Sequence, residues 1–203
     1  MNDALYRRFL TVAETLSPQL VEALETVGPL EPLRPRQGTS LNDALCRSVA
    51  GQQLSVRAAR TIWGRVMDRA SGQALQAFFL DVDPTELRAC GLSGAKARAM
   101  RSIAEAFASG VLDDDRLRTV EPAERARLLT SVWGVGPWTA DMISMFHFGD
   151  VDIWPDGDVT ARKTLERLTS RRRKTTKTAA RFAPHRSYLS IYMWRYADAA
   201  PQL

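Results

Sequence analysis

Residues 128–143 read Leu128-Leu129-Thr130-Ser131-Val132-Trp133-Gly134-Val135-Gly136-Pro137-Trp138-Thr139-Ala140-Asp141-Met142-Ile143. The apolar spacing predicts a helix that ends near Trp133. Two glycines then permit a tight turn with unusual φ, and a proline followed by good helix formers restarts the chain at once. Two helices joined by so short a turn form a helix-hairpin-helix. Glycine lets a phosphate approach the backbone, while the second helix presents free N–H groups and a partial positive charge. A grip of that kind holds the nucleic-acid backbone without reading its sequence. A Gly-x-Gly between helices is also how a plain tight connection is built, and the surrounding Val/Leu pattern with Pro-Trp-Thr-Ala favours the hairpin.

Outward from this motif the apolar periodicity stays helical. Leu41, Ala44, Leu45 and Val49, then Leu54, Ala58, Ile62 and Val66, recur at three- and four-residue steps. Ser40-x-x-Asp43 and Asp83-Pro84-Thr85-Glu86 read as helix starts, and Gly91 as a stop. Further helices are predicted over about 94–108, from Glu121-Pro122, and through Tyr188, Ile191, Tyr192 and Arg195. Val111-Leu112 and Val151-Asp152-Ile153 are too short for a sheet. The expectation is an all-α protein of eight to ten helices.

The chain has 203 residues, 45% hydrophobic and 25% charged, which supplies a core and excludes disorder as the main state. Cys46 and Cys90 are its two cysteines, too few for a disulfide framework or an iron–sulfur cluster. With no 18-residue apolar run and no basic-then-apolar leader, the expectation is a cytoplasmic protein without membrane contact. Net charge is +5, unevenly spread: residues 160–203 hold 11 Lys/Arg and 2 Asp/Glu, a balance of +9, against −4 for residues 1–159. A polyanion is the matching partner, although a solvated basic segment would show the same balance. Asp113-Asp114-Asp115 reads as an exposed acidic loop.

Ile153-Trp154-Pro155-Asp156-Gly157-Asp158-Val159-Thr160-Ala161-Arg162-Lys163 follows the hairpin. Pro155 and Gly157 make a loop, and Asp158 stands where it can cap the helix that begins at Val159. Capping and catalysis are compatible, because a carboxylate at a helix N-terminus can also stabilise positive charge developing on a sugar.

Gly-Val-Gly-Pro-Trp-Thr-Ala followed by Pro-Asp-Gly-Asp resembles the helix-hairpin-helix/Gly-Pro-Asp superfamily of DNA glycosylases, in its AlkA-type 3-methyladenine DNA glycosylase II branch. Val49-Ala50-Gly51-Gln52-Gln53-Leu54-Ser55 is similar to that branch's minor-groove segment, and His185-Arg186-Ser187-Tyr188 through Trp194 to its final helix. The resemblance spans about residues 35–198. It implies two helical lobes with a DNA and base cleft between them, a central lobe of about 41–150 and a second lobe from about 1–40 and 151–203, without an N-terminal β-sheet domain. It further implies that an alkylated base such as 3-methyladenine or 7-methylguanine is rotated out of the duplex and its N-glycosidic bond hydrolysed, in base excision repair.

On this resemblance Asp158 is the catalytic carboxylate, with Asp156 the neighbouring alternative. Trp138 and Trp194 line the base pocket. Met142 stands where the relative has tyrosine, and Trp154 can supply another wall; core packing is the competing role for these tryptophans. Gln53 or Leu54 fills the gap left by the flipped base, or else Leu54 is buried at a helix junction. Gly134, Gly136 and Thr139, by backbone or hydroxyl, face phosphate, with Lys163 and the Arg171–Lys174 run as weaker anchors. Relatives that also cut the backbone resemble Gly-Val-Gly-Arg-Lys-Thr-Ala, in which lysine attacks the sugar. Trp138 occupies that position, so a monofunctional enzyme without lyase activity is expected. No cofactor is required, family hairpins often hold an alkali-metal ion, and the partner is damaged double-stranded DNA bound by a monomer. Ala/Leu/Arg-rich usage points to a GC-rich bacterial genome and a nucleoid-associated enzyme. The competing readings are a same-fold glycosylase for deaminated, oxidised or mismatched bases, and a non-catalytic hairpin module that binds DNA.

Overall fold

Local capping sets most helix starts. The Ser40 hydroxyl accepts the Asp43 N–H at 3.1 Å, and the Asp83 carboxylate accepts the Thr85 N–H at 2.7 Å just before Pro84. Ser93 takes the Lys96 N–H at 3.2 Å, so the helix predicted over 94–108 has those ends. The structure, a computed structural model, describes residues 1–199.

In chain order the helices begin with α1 (Asp3–Glu14) and α2 (Pro18–Val27). There follow α3 (Leu41–Gly51), α4 (Val56–Ala70), α5 (Leu75–Asp81), α6 (Pro84–Ala89) and α7 (Gly94–Ala108). Next come α8 (Asp114–Thr119), α9 (Pro122–Thr130) and α10 (Pro137–Phe146). The last are α11 (Val159–Leu168), α12 (Thr175–Ala179), a 3₁₀ turn (Ala180–Phe182) and α13 (Arg186–Ala199). No strand occurs among the described residues, in agreement with an all-α fold. The thirteen α-helices of the described residues exceed the eight to ten expected, because α5, α8 and α12 have only 5–7 residues, too few to show an apolar period. The acids 113–115 also correct an expectation. They open a helix instead of forming a loop, since the Asp113 carboxylate accepts the Arg116 N–H at 2.7 Å and Asp114 pairs with Arg118 at 3.1 Å.

The chain divides into two compact units, residues 36–148, and residues 1–35 together with those from 149 onward. In the 36–148 unit α3 packs against α4, α7 and α10, while α5 and α6 lie on α7 and α9 on α10. Leu45, Val49, Phe79, Met100, Ile103 and Leu129 form its core. In the other unit α13 packs on α11 and α2 around Phe9, Leu24, Leu165, Phe182 and Tyr192. The Tyr192 hydroxyl donates to the Gly28 carbonyl at 2.9 Å, and burial raises its pKa. No helix among the described residues is long and apolar enough to cross a membrane.

Candidate functional site

The 150–158 segment is fastened at several points before it reaches α11. The Ser187 hydroxyl donates to the Asp150 carbonyl at 2.7 Å and accepts the Ile153 N–H at 2.9 Å. The Arg186 guanidinium grips the Asp152 carboxylate at 2.7 and 3.0 Å. Burial pushes that carboxyl upward, but the hydrogen bonds and charge of Arg186 outweigh it and hold the pKa below its ordinary value. Asp156 Oδ1 accepts the Trp154 indole N–H at 3.3 Å and the Thr175 hydroxyl at 2.9 Å, so its carboxylate ties the loop together. Trp154 itself is buried.

Asp158 is placed differently. As N-cap of α11 it has extended backbone, and its Oδ1 accepts the Ala161 N–H at 2.7 Å. The same oxygen accepts the Trp194 indole N–H at 2.9 Å from α13. Two donors on separate elements thus fix the half-buried carboxylate at a helix N-terminus, where the dipole favours negative charge. Trp194, expected as a pocket wall or as core, is half-buried and orients this carboxylate. Lys163 is exposed on α11 and shares a surface depression of about 530 Å³ with Arg167 and Arg171, and Arg172, Arg173 and Lys174 are exposed beyond it.

The hairpin belongs to the 36–148 unit. Gly134 has φ +88°, and a Cβ there would stand 2.3 Å from the Ala99 Cβ and 3.1 Å from its Cα. Gly136 departs from the expectation of two unusual glycines: with φ −87° and ψ 173° it is extended and serves as N-cap of α10. Its lack of a side chain leaves first-turn N–H groups of α10 without a side-chain cap, open to an anion. For Thr139 the two expected options, backbone or hydroxyl, are distinguished: the residue is 1% exposed and its hydroxyl accepts the Gln52 amide N–H at 2.8 Å, which favours the main-chain N–H. Trp138 is half-buried and Met142 buried on the same helix.

Between α3 and α4, Gln53 is exposed in the left-handed region at φ +57°, and Leu54 is 39% exposed instead of buried at a junction. The Lys96 ammonium secures this loop by donating to the Ala50 carbonyl at 2.9 Å and the Gln52 carbonyl at 2.7 Å, and burial lowers its pKa. Sequence reasoning missed Lys96, because a lysine one turn into a helix looks like any solvated cation. No cluster of three metal-ligating side chains occurs among the described residues.

The 36–148 unit thus carries a short hairpin between two helices, and the other unit a carboxylate held at a helix start. The chain belongs to the HhH-GPD superfamily of base excision DNA repair proteins, whose family model matches residues 46–185. Among relatives, the DNA-3-methyladenine glycosylase 1 of Schizosaccharomyces pombe is 31% identical over 188 residues, covering 87% of this chain and 81% of that protein. The solved structure of the S. pombe 3-methyladenine DNA glycosylase Mag1 in complex with abasic DNA is similar at a TM-score of 0.80 and 26% identity, over 96% of this chain and 98% of that one. A DNA-3-methyladenine glycosidase from Bacillus halodurans is similar at 0.76 and 27%, over 95% and 89%.

Proposed function

We propose that this protein is a monofunctional DNA glycosylase that removes alkylated bases of the 3-methyladenine and 7-methylguanine type from double-stranded DNA, in base excision repair. The observation that carries the reading is the Asp158 carboxylate, set at the start of α11 and held by Ala161 and Trp194. The names of the relatives support the substrate class, and the Mag1 complex supports a DNA partner. A base methylated at a ring nitrogen is already cationic. When the bond from N9 to C1′ breaks, the electron pair stays on N9 and the ring as a whole becomes neutral, so little acid catalysis is required. The deoxyribose becomes oxocarbenium-like, and a preorganised carboxylate stabilises that charge. A water oxygen then bonds to C1′, its proton passes to the carboxylate or to solvent, and an abasic site remains. Trp138, Met142, Trp194 and Trp154 are the proposed pocket residues, the aromatic faces attracting a cationic purine. Gln53 and Leu54 are the proposed wedge.

Trp138 has no amine to form a Schiff base, which supports hydrolysis without strand cleavage. The Trp133 and Val135 carbonyls of the hairpin accept no hydrogen bond from the described residues. They fit a family-type alkali-metal ion, which would supply positive charge beside a phosphate. The proposed setting is a monomer acting on chromosomal DNA in the cytoplasm of a bacterium. Base release from methylated duplex DNA by wild type and Asp158→Asn tests the proposal. Wild type should release base, the variant should lose at least about a hundredfold in rate, as for removal of one electrostatic stabiliser, and strand breaks should need alkali or an added lyase. Equal release by both proteins rejects Asp158, and a borohydride-trapped DNA adduct rejects the monofunctional assignment.

A further inference from the structure

Helix α7 carries three basic residues in its first two turns, and two are already committed. Lys96 is bonded to the Ala50 and Gln52 carbonyls, and Arg101 pairs with Glu105 at 3.1 Å. Arg98 is exposed and makes no ion pair with a carboxylate among the described residues. Its guanidinium instead lies over the ring of Trp133, 4.2 Å from the centroid. Trp133 is the residue before Gly134 in the hairpin, and its indole is 43% exposed. The hairpin is seated on the same helix, since Gly134 packs against Ala99 closely enough to leave no room for a Cβ. A cation without a counter-charge therefore stands immediately beside the turn that offers backbone N–H groups to an anion.

We propose that Arg98, braced on Trp133, binds a phosphodiester of the DNA backbone next to the one taken by the hairpin, and so extends the protein's grip by one phosphate. The inference rests on the reading of the chain as a DNA glycosylase. An unrestrained surface arginine loses side-chain freedom when it is fixed. Stacking on an indole removes part of that loss beforehand and leaves the guanidinium edge, with its N–H donors, available to phosphate oxygens. The ring also offers an apolar face to the deoxyribose beside that phosphate. Neither feature contributes to the core, and a solvated arginine would need neither.

The experiment is the salt dependence of binding to a duplex containing a stable abasic analogue, by fluorescence anisotropy between 50 and 200 mM salt. Each phosphate contact adds about 0.9 to the slope of log affinity against log salt. Arg98→Gln should flatten the slope by about 0.9, so that its affinity loss across this range is roughly threefold smaller than that of wild type. Its thermal midpoint should stay unchanged, and Arg98→Lys should restore the slope without the full affinity. An Arg98→Gln slope equal to that of wild type overturns the proposal while leaving the glycosylase reading intact. A wild-type protein that binds no duplex overturns both.

Discussion

Asp141 sits half-buried on α10, two residues beyond Thr139, and no hydrogen bond or ion pair reaches its carboxylate from the described residues. Burial alone pushes its pKa from 3.8 to about 6. Between those values the folded protein holds a proton that the unfolded chain has released, so stability falls as pH rises through this window. The loss is absent below the unfolded value and complete above the folded one. At ~1.4 kcal/mol per pH unit, the full cost at neutral pH is about 3 kcal/mol as a ceiling, and solvent around a half-buried group reduces it to roughly 1–3 kcal/mol. Asp141→Asn removes the titration but keeps the shape. Urea unfolding of both proteins at pH 4, 5, 6, 7 and 8 should therefore show the variant gaining on wild type by roughly 1–3 kcal/mol between pH 4 and pH 8. The difference is the quantity to read, because His147, 1% exposed and with its pKa lowered by burial, makes both proteins less stable toward acid and cancels. A fixed offset from the amide is unimportant, since it does not vary with pH. A difference between the two proteins that stays flat across pH 4 to 8 would refute the reasoning.

Two other substitutions probe the 36–148 unit. Gly134→Ala puts a methyl group 2.3 Å from Ala99 in a left-handed residue. It should cost about 2–4 kcal/mol from overpacking and backbone strain and weaken DNA binding with it, as thermal melts and anisotropy would show. Wild-type stability in that variant would contradict the close approach of turn and helix. Lys96→Met leaves the Ala50 and Gln52 carbonyls without their donor. Excision of a lesion stacked in duplex DNA should fall about tenfold more than excision of the same lesion in a single strand, since only the duplex requires a wedge. An equal fall on both substrates would mean that Lys96 merely supports the fold.

What the sequence revealed, and what it hid, follows the range of the interactions. The hairpin was legible because its signals are adjacent: a helix end, Gly134, Gly136 and Pro137 in four consecutive steps. Which glycine has no room for a side chain was not, because Ala99, 35 residues earlier in the chain, decides it. Asp158 was legible as a cap from its own loop, whereas its second donor, Trp194, lies on another helix. Whether Thr139 would offer its backbone or its hydroxyl was open for the same reason. A threonine beside a hairpin looks free to meet phosphate until Gln52, 87 positions away, occupies its hydroxyl. The two-unit division, with its discontinuous 1–35 and 149-onward unit, has no local signal in composition or periodicity, and only the family resemblance gave an expectation of it.

Helix α7 is where the functional reading of the 36–148 unit gains coherence. Within four residues it secures the Gln53–Leu54 loop through Lys96, braces Trp133 through Arg98, and seats the Gly134 turn on Ala99. Gln52 and Thr139 then join the loop directly to α10. An enzyme that must insert a residue into the base stack while holding the backbone needs those two elements at a constant spacing, because phosphates recur at fixed intervals along the strand. A loop free to drift would spend binding energy on ordering itself at each encounter. Mounting both elements on one 15-residue helix meets that cost during folding. On the proposed function, the grip is then available at any sequence, and selection among bases is left to the carboxylate and to whichever base can leave as a neutral ring.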